Sequence, residues 1–167
     1  MYKLHWKIGA GVVVSFAMVA AVPAPAVVLT FDDAIPNVMS YGFDTDGDFY
    51  DDVVFRTTEL AGFGTTGPSP HQVYVDGPGL EGSTDLHPAA RVDFRGGATT
   101  SVSFGFALDE LFDTAGRTAT FALFDAANVS LGSTTVQAQK PPHIDAFIEG
   151  LVTLDFAGTA AYGLFDF

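Results

Sequence analysis

The stretch Asp44-Thr45-Asp46-Gly47-Asp48-Phe49-Tyr50-Asp51-Asp52 puts five carboxylates into nine residues. Carboxylates at alternate positions of a tight turn converge on one point, where they repel one another unless a cation sits between them. A hard cation that takes about six to eight oxygen ligands makes the convergence favourable, which singles out calcium. The spacing assigns Asp44, Asp46, Asp48 and Asp52 as side-chain ligands. This is not an EF-hand, because the sixth position is Phe49 where that loop needs glycine and the twelfth is Phe55 where it has glutamate. A sharp turn with positive φ at Phe49 would carry about 1–2 kcal/mol of strain. The same residues also read as a solvated acidic turn between two strands, and both readings stay open.

Other reactive side chains do not assemble into a constellation. His71, His87 and His143, several serines, and carboxylates such as Asp145 and Glu149 are present. None falls into a zinc-protease, nucleophile-elbow, phosphate-loop or dinucleotide-binding pattern. A glycosidase needs only two suitably spaced carboxyls, but nothing selects a pair. His71 and His87 are loop residues without a partner motif. The expectation is a protein without enzymatic activity, with a glycoside-active enzyme as an alternative.

The charge balance limits the partners. Of 7 Lys and Arg, two (Lys3 and Lys7) lie in the first 26 residues, which contain no acid, so the remainder carries 5 − 20 = −15. Such a field disfavours nucleic acid and anionic membrane surfaces, which are bound through Lys and Arg, and it suits cations. Cysteine is absent, which excludes disulfides and thiolate chemistry.

The elements that must position the acidic loop are strands. Residues 1–7 are basic, 8–22 are apolar, and Ala24-Pro25-Ala26 supplies small residues, the three-part pattern of a signal peptide cleaved after Ala26. A retained anchor is the competing reading, because apolar character runs on through Val27, Val28 and Leu29. Past the leader, residues 27–167 form one domain of ordinary size. Val102, Phe104, Phe106 and Leu108 alternate with small or polar residues, the mark of a half-buried strand. Similar runs at 27–31, 52–58, 72–75, 91–94, 118–124, 151–156 and 160–165 predict an all-β β-sandwich. Short helices are weighed at Asp109–Phe112 and Ile144–Phe147. The Gly- and Pro-rich stretch from Gly62 to Pro88 reads as a long loop with one strand at most.

On VVLTF-Asp32-Asp33, FDTDGDFYDD and the closing GLVTLDFAGTAAYGLFDF, the chain resembles the mature domain of exported bacterial PEP-CTERM-type proteins. The aspartate run is also similar to calcium loops of extracellular repeat modules. The resemblance implies a jelly-roll-type sandwich at the cell surface or in the extracellular matrix of a Gram-negative bacterium, with exopolysaccharide or matrix components as partners. It also implies a calcium tie from Asp32 in the first strand toward Asp166 in the last. The sorting tail of that family is missing here, which leaves two readings: a chain cut before its last strand and tail, or a relative without the sorting tail. Membrane contact is then expected only through the leader or such a tail. A calcium-dependent carbohydrate-binding module is the alternative function, weakened because broad rings carry sugar stacking and the one tryptophan, Trp6, lies in the leader. Tyr41, Tyr50, Tyr74 and Tyr162 remain as platforms.

Overall fold

The computed structural model describes residues 27–66, 72–75, 77–82, 90–98, 100–109, 116–140 and 147–166. The leader 1–26 and His71, His87, His143 and Asp145 lie outside the described residues. The described chain is all-β, with ten antiparallel strands: β1 Ser40–Phe43, β2 Val53–Thr57, β3 Gly64–Thr66, β4 Gly79–Glu81, β5 Ala90–Ala98, β6 Ser101–Asp109, β7 Thr118–Phe124, β8 Ser130–Gln137, β9 Phe147–Asp155 and β10 Ala160–Asp166. They form a six-stranded sheet in the order β1-β2-β5-β10-β7-β8, a β6–β9 ladder and a small β3–β4 ladder.

Alternation decides which side chains meet. In β7, Ala119, Phe121 and Leu123 are buried, while Thr118, Thr120, Ala122 and Phe124 take the other face. In β9, Ile148, Val152 and Leu154 point into the same core. Phe104 of β6 meets Phe121 and Phe165 with ring centroids 5.0 Å apart in each case, so the β6–β9 ladder packs on the six-stranded sheet. Gly150 and Gly163 have no Cβ where the rings of Phe106 and Phe121, respectively, press against them. A single antiparallel bridge, Gln139 with Glu149, links the segment after β8 to the edge of β9.

Over β1 and β2 the inner face is covered differently. Phe31 packs against Tyr41, Phe43 and Phe55, with centroids 5.8, 5.3 and 5.3 Å away. Residues 27–31 were expected as a strand; they form none, and Phe31 is instead the lid of an aromatic cluster. Residues 72–75 are likewise not a strand but a bend. The Gly62–Pro88 stretch carries two short strands, β3 and β4, where one at most was expected. β1, whose Tyr41 and Phe43 alternate with Ser40 and Gly42 over only four residues, and β8, which lacks a clear apolar alternation, are the edges of the large sheet. Of the weighed helices, Asp109 closes β6 and Phe147 opens β9; positions 110–112 and 144–146 lie outside the described residues. β10 pairs on both sides, with β5 and β7.

Candidate metal centre and buried carboxylate

The loop of residues 44–52 joins β1 to β2 at the edge of the six-stranded sheet. Its neck is closed by Asp52, whose Oδ2 accepts the Thr45 N–H at 2.8 Å and the Thr45 hydroxyl. The Asp52 N–H bonds the Phe43 carbonyl, and the Asp52 carbonyl accepts the Arg95 N–H, both at 2.7 Å. Inside the neck the aspartates fold the backbone around themselves. Asp44 Oδ1 accepts the Gly47 N–H at 2.6 Å and Oδ2 the Phe49 N–H at 2.8 Å. Asp46 Oδ1 accepts from Asp48 N at 3.1 Å, and Asp48 Oδ1 accepts from Tyr50 N at 2.8 Å. These are local side-chain turns of the kind aspartate favours.

Asp44, Asp46 and Asp48 converge: one ligand oxygen from each lies within 4.8 Å of the others, and the cluster could hold a metal ion. Among the described residues no other group of three or more metal-ligating side chains comes so close. Among the described residues, Asp46 and Asp48 each engage the loop backbone through Oδ1. Hydrogen bonds from the Gly47 and Phe49 N–H groups hold the Asp44 carboxyl below its ordinary value of 3.8. The Thr45 hydroxyl and N–H do the same for Asp52, against the nearby negative charge of Asp44. Both groups are fully ionised at neutral pH, the state a cation requires. The positive φ expected at Phe49 is present, at 70°, and Gly47 also has a positive φ, 83°.

Of the ligands read from the sequence, the structure brings Asp44, Asp46 and Asp48 together and gives Asp52 the neck of the loop. Asp32 sits with Asp33, Tyr41, Asp44 and Thr45 on the wall of an open cleft of about 440 Å³ between the segment 27–33 and β1. Asp166 ends β10 opposite Thr120 and does not belong to the converging group. Thr45 was not singled out beforehand. Its signal is a hydroxyl residue at the second loop position facing an acid at the ninth.

A second carboxylate stands out by burial. Glu149 of β9 is 2 % exposed, and it faces away from the core side of its strand. Its carboxylate accepts the Val73 N–H at 2.9 Å and the Tyr74 N–H at 2.8 Å. Residues 72–75 are therefore a strap whose Val73 and Tyr74 N–H groups end on one side chain instead of on a neighbouring strand. Gly105 lies beneath it, where a Cβ would overlap the Tyr74 carbonyl.

The aromatic platforms divide in two. Tyr41 is engaged by Phe31 and Phe43, and Tyr162 stacks on Phe124 under the Arg91 guanidinium. Tyr50 and Tyr74 are exposed. No family model matches the chain, and neither a curated protein nor a solved structure matches it.

Proposed function

We propose that residues 27–167 are an exported β-sandwich of jelly-roll type, a non-enzymatic component of the cell surface or extracellular matrix that binds calcium structurally. The observation that carries this reading is the convergence of Asp44, Asp46 and Asp48 within 4.8 Å in a loop whose own N–H groups orient them. Calcium suits an all-oxygen, carboxylate-rich and exposed loop, whereas magnesium demands octahedral geometry and gives up water reluctantly. Asp52 stabilises the neck, and Asp32 borders the same cleft as Asp44. The resemblance to PEP-CTERM-type mature domains supplies the surface setting, with exopolysaccharide or other matrix components as partners.

Thermal melting of the purified protein tests the site. A ligand that binds only the folded state at a hundredfold excess over Kd contributes about 2.7 kcal/mol. For a domain of this size the midpoint should rise by roughly 5–10 °C in calcium relative to chelator, and far less in magnesium. Asp46→Asn with Asp48→Asn should abolish the shift. Identical melting curves with calcium and with chelator, for the unaltered protein, would reduce the loop to an acidic turn. The second reading, a calcium-dependent carbohydrate-binding module, draws on Phe49 and Tyr50, which stand exposed beside the aspartates. A glycan array with and without chelator separates it, since a purely structural calcium site predicts no defined sugar.

A further inference from the structure

The loop is not the only concentration of charge. Of the five basic residues beyond position 26 (7 − 2), three, Arg56, Arg91 and Arg95, lie on β2 and β5. Asp93 draws two of them together on the sheet face opposite the core. Arg56 Nε donates to Asp93 Oδ2 at 2.8 Å and Arg91 Nε to Oδ1 at 2.6 Å. One carboxylate between two guanidinium groups leaves a net positive charge, and the arginine side chains remain 49 % and 44 % exposed. Arg91 lies 3.9 Å over the Tyr162 ring, which stacks on Phe124 at 5.0 Å and 14° and donates its hydroxyl to Asn128. A rigid cationic and aromatic ledge thus runs across β2, β5, β10 and β7 in a chain whose net charge is −13.

The loop of residues 44–52 has the complementary chemistry: five carboxylates, with Phe49 95 % and Tyr50 70 % exposed. An aromatic ring so exposed is not seated on its own ledge, so contact between the two surfaces requires another molecule. We propose that the Arg56–Asp93–Arg91–Tyr162 ledge receives the Asp44–Asp52 loop of a second copy of this chain. The guanidinium nitrogens not taken by Asp93 can pair with carboxylates, and guanidinium planes stack on aromatic rings, which matches both halves of the tip. Repulsion between two acidic molecules is screened beyond roughly 8 Å at physiological ionic strength, so the contact-range pairs decide. The two surfaces differ, so copies linked through them either close into a ring or extend with one loop and one ledge open at the ends. Calcium at the aspartates competes for the same carboxylates, so chelator should lengthen the assemblies. If calcium does not bind, chelator has no effect and the pairing itself is untouched.

Sedimentation velocity of the purified protein in excess chelator, over a concentration series, tests this. The unaltered protein should associate, as a closed ring or as growing oligomers. A ledge variant, Arg56→Glu with Arg91→Glu, and a loop variant, Asp46→Lys with Asp48→Lys, should each be monomeric. An equimolar mixture of the two should form one-to-one dimers and nothing longer, because a single intact loop meets a single intact ledge. Circular dichroism checks that each variant is folded, and the milder pair Arg91→Gln and Asp48→Asn should weaken association if the charge reversals unfold the chain. A monomeric unaltered protein, oligomers that survive both variants, or a mixture that stays monomeric would each overturn the proposal.

Discussion

Phe49 holds a φ of 70° while its ring is 95 % exposed, so the side chain contributes strain without packing. A residue with a Cβ costs about 1–2 kcal/mol in this region, and glycine occupies it freely. Glycine also loses more conformational entropy on folding, by about 0.5–1 kcal/mol, so the two effects partly cancel. Phe49→Gly should leave the fold at least as stable, with a gain of up to about 1 kcal/mol, and should tighten cation binding by favouring the turn. Phe49→Ala, which removes the ring and keeps the Cβ, should bring no such gain. Urea unfolding and calcium titration of the two variants side by side check this, and equal behaviour would mean that the turn is not strained. The strain itself was foreseeable from the spacing. The closure of the neck by Thr45 and Asp52 was not, because a hydroxyl and a carboxylate seven positions apart meet only once the loop has closed.

Among the elements, the strap of residues 72–75 shows how an apolar run can mislead. Gln72-Val73-Tyr74-Val75 has strand composition, yet the Val73 and Tyr74 N–H groups end on the Glu149 carboxylate, 76 and 75 positions away. A buried carboxylate is tolerated when backbone donors satisfy it, and leaving it unpaired costs several kcal/mol at most sites. Gly105 is what lets the strap come down, since an added methyl would overlap the Tyr74 carbonyl. Gly105→Ala should lift the strap, cost about 1–3 kcal/mol and speed hydrogen exchange at the Val73 and Tyr74 amides. Unchanged exchange at those two amides would show that the strap is held elsewhere.

At the scale of the whole molecule the decisive contact is between sheets. Phe121 of β7 is fully buried, 5.0 Å from Phe104 of β6 and 4.9 Å from Phe165 of β10 by ring centroids. It is the ring through which the β6–β9 ladder and the six-stranded sheet share one core. Phe121→Ala should destabilise the protein by about 3–5 kcal/mol, enough to threaten a domain of ordinary stability. Chemical denaturation followed by far-ultraviolet circular dichroism should show the loss as one lowered transition. A wild-type midpoint, or two separate transitions, would mean that the sheets are stabilised independently.

Features under the control of local physics are legible in the order of residues alone. Alternation placed the strand at 118–124 where β7 runs from Thr118 to Phe124, and it identified β6 to within a residue at each end. It also located the aspartate turn, because side chains at alternate positions of a short loop can hardly avoid one another. Tertiary structure decided everything that needs a distant partner. β8 is a strand because β7 offers it a ladder, and its residues Ser130–Gln137 carry too few apolar side chains to announce one. The run at 27–31 lost its strand because Phe31 found the rings of Tyr41, Phe43 and Phe55. Arg56 and Asp93, 37 positions apart, became an ion pair only through the register of β2 on β5. Pairing order and register follow from competition among many long-range contacts, and no window of neighbouring residues contains that information.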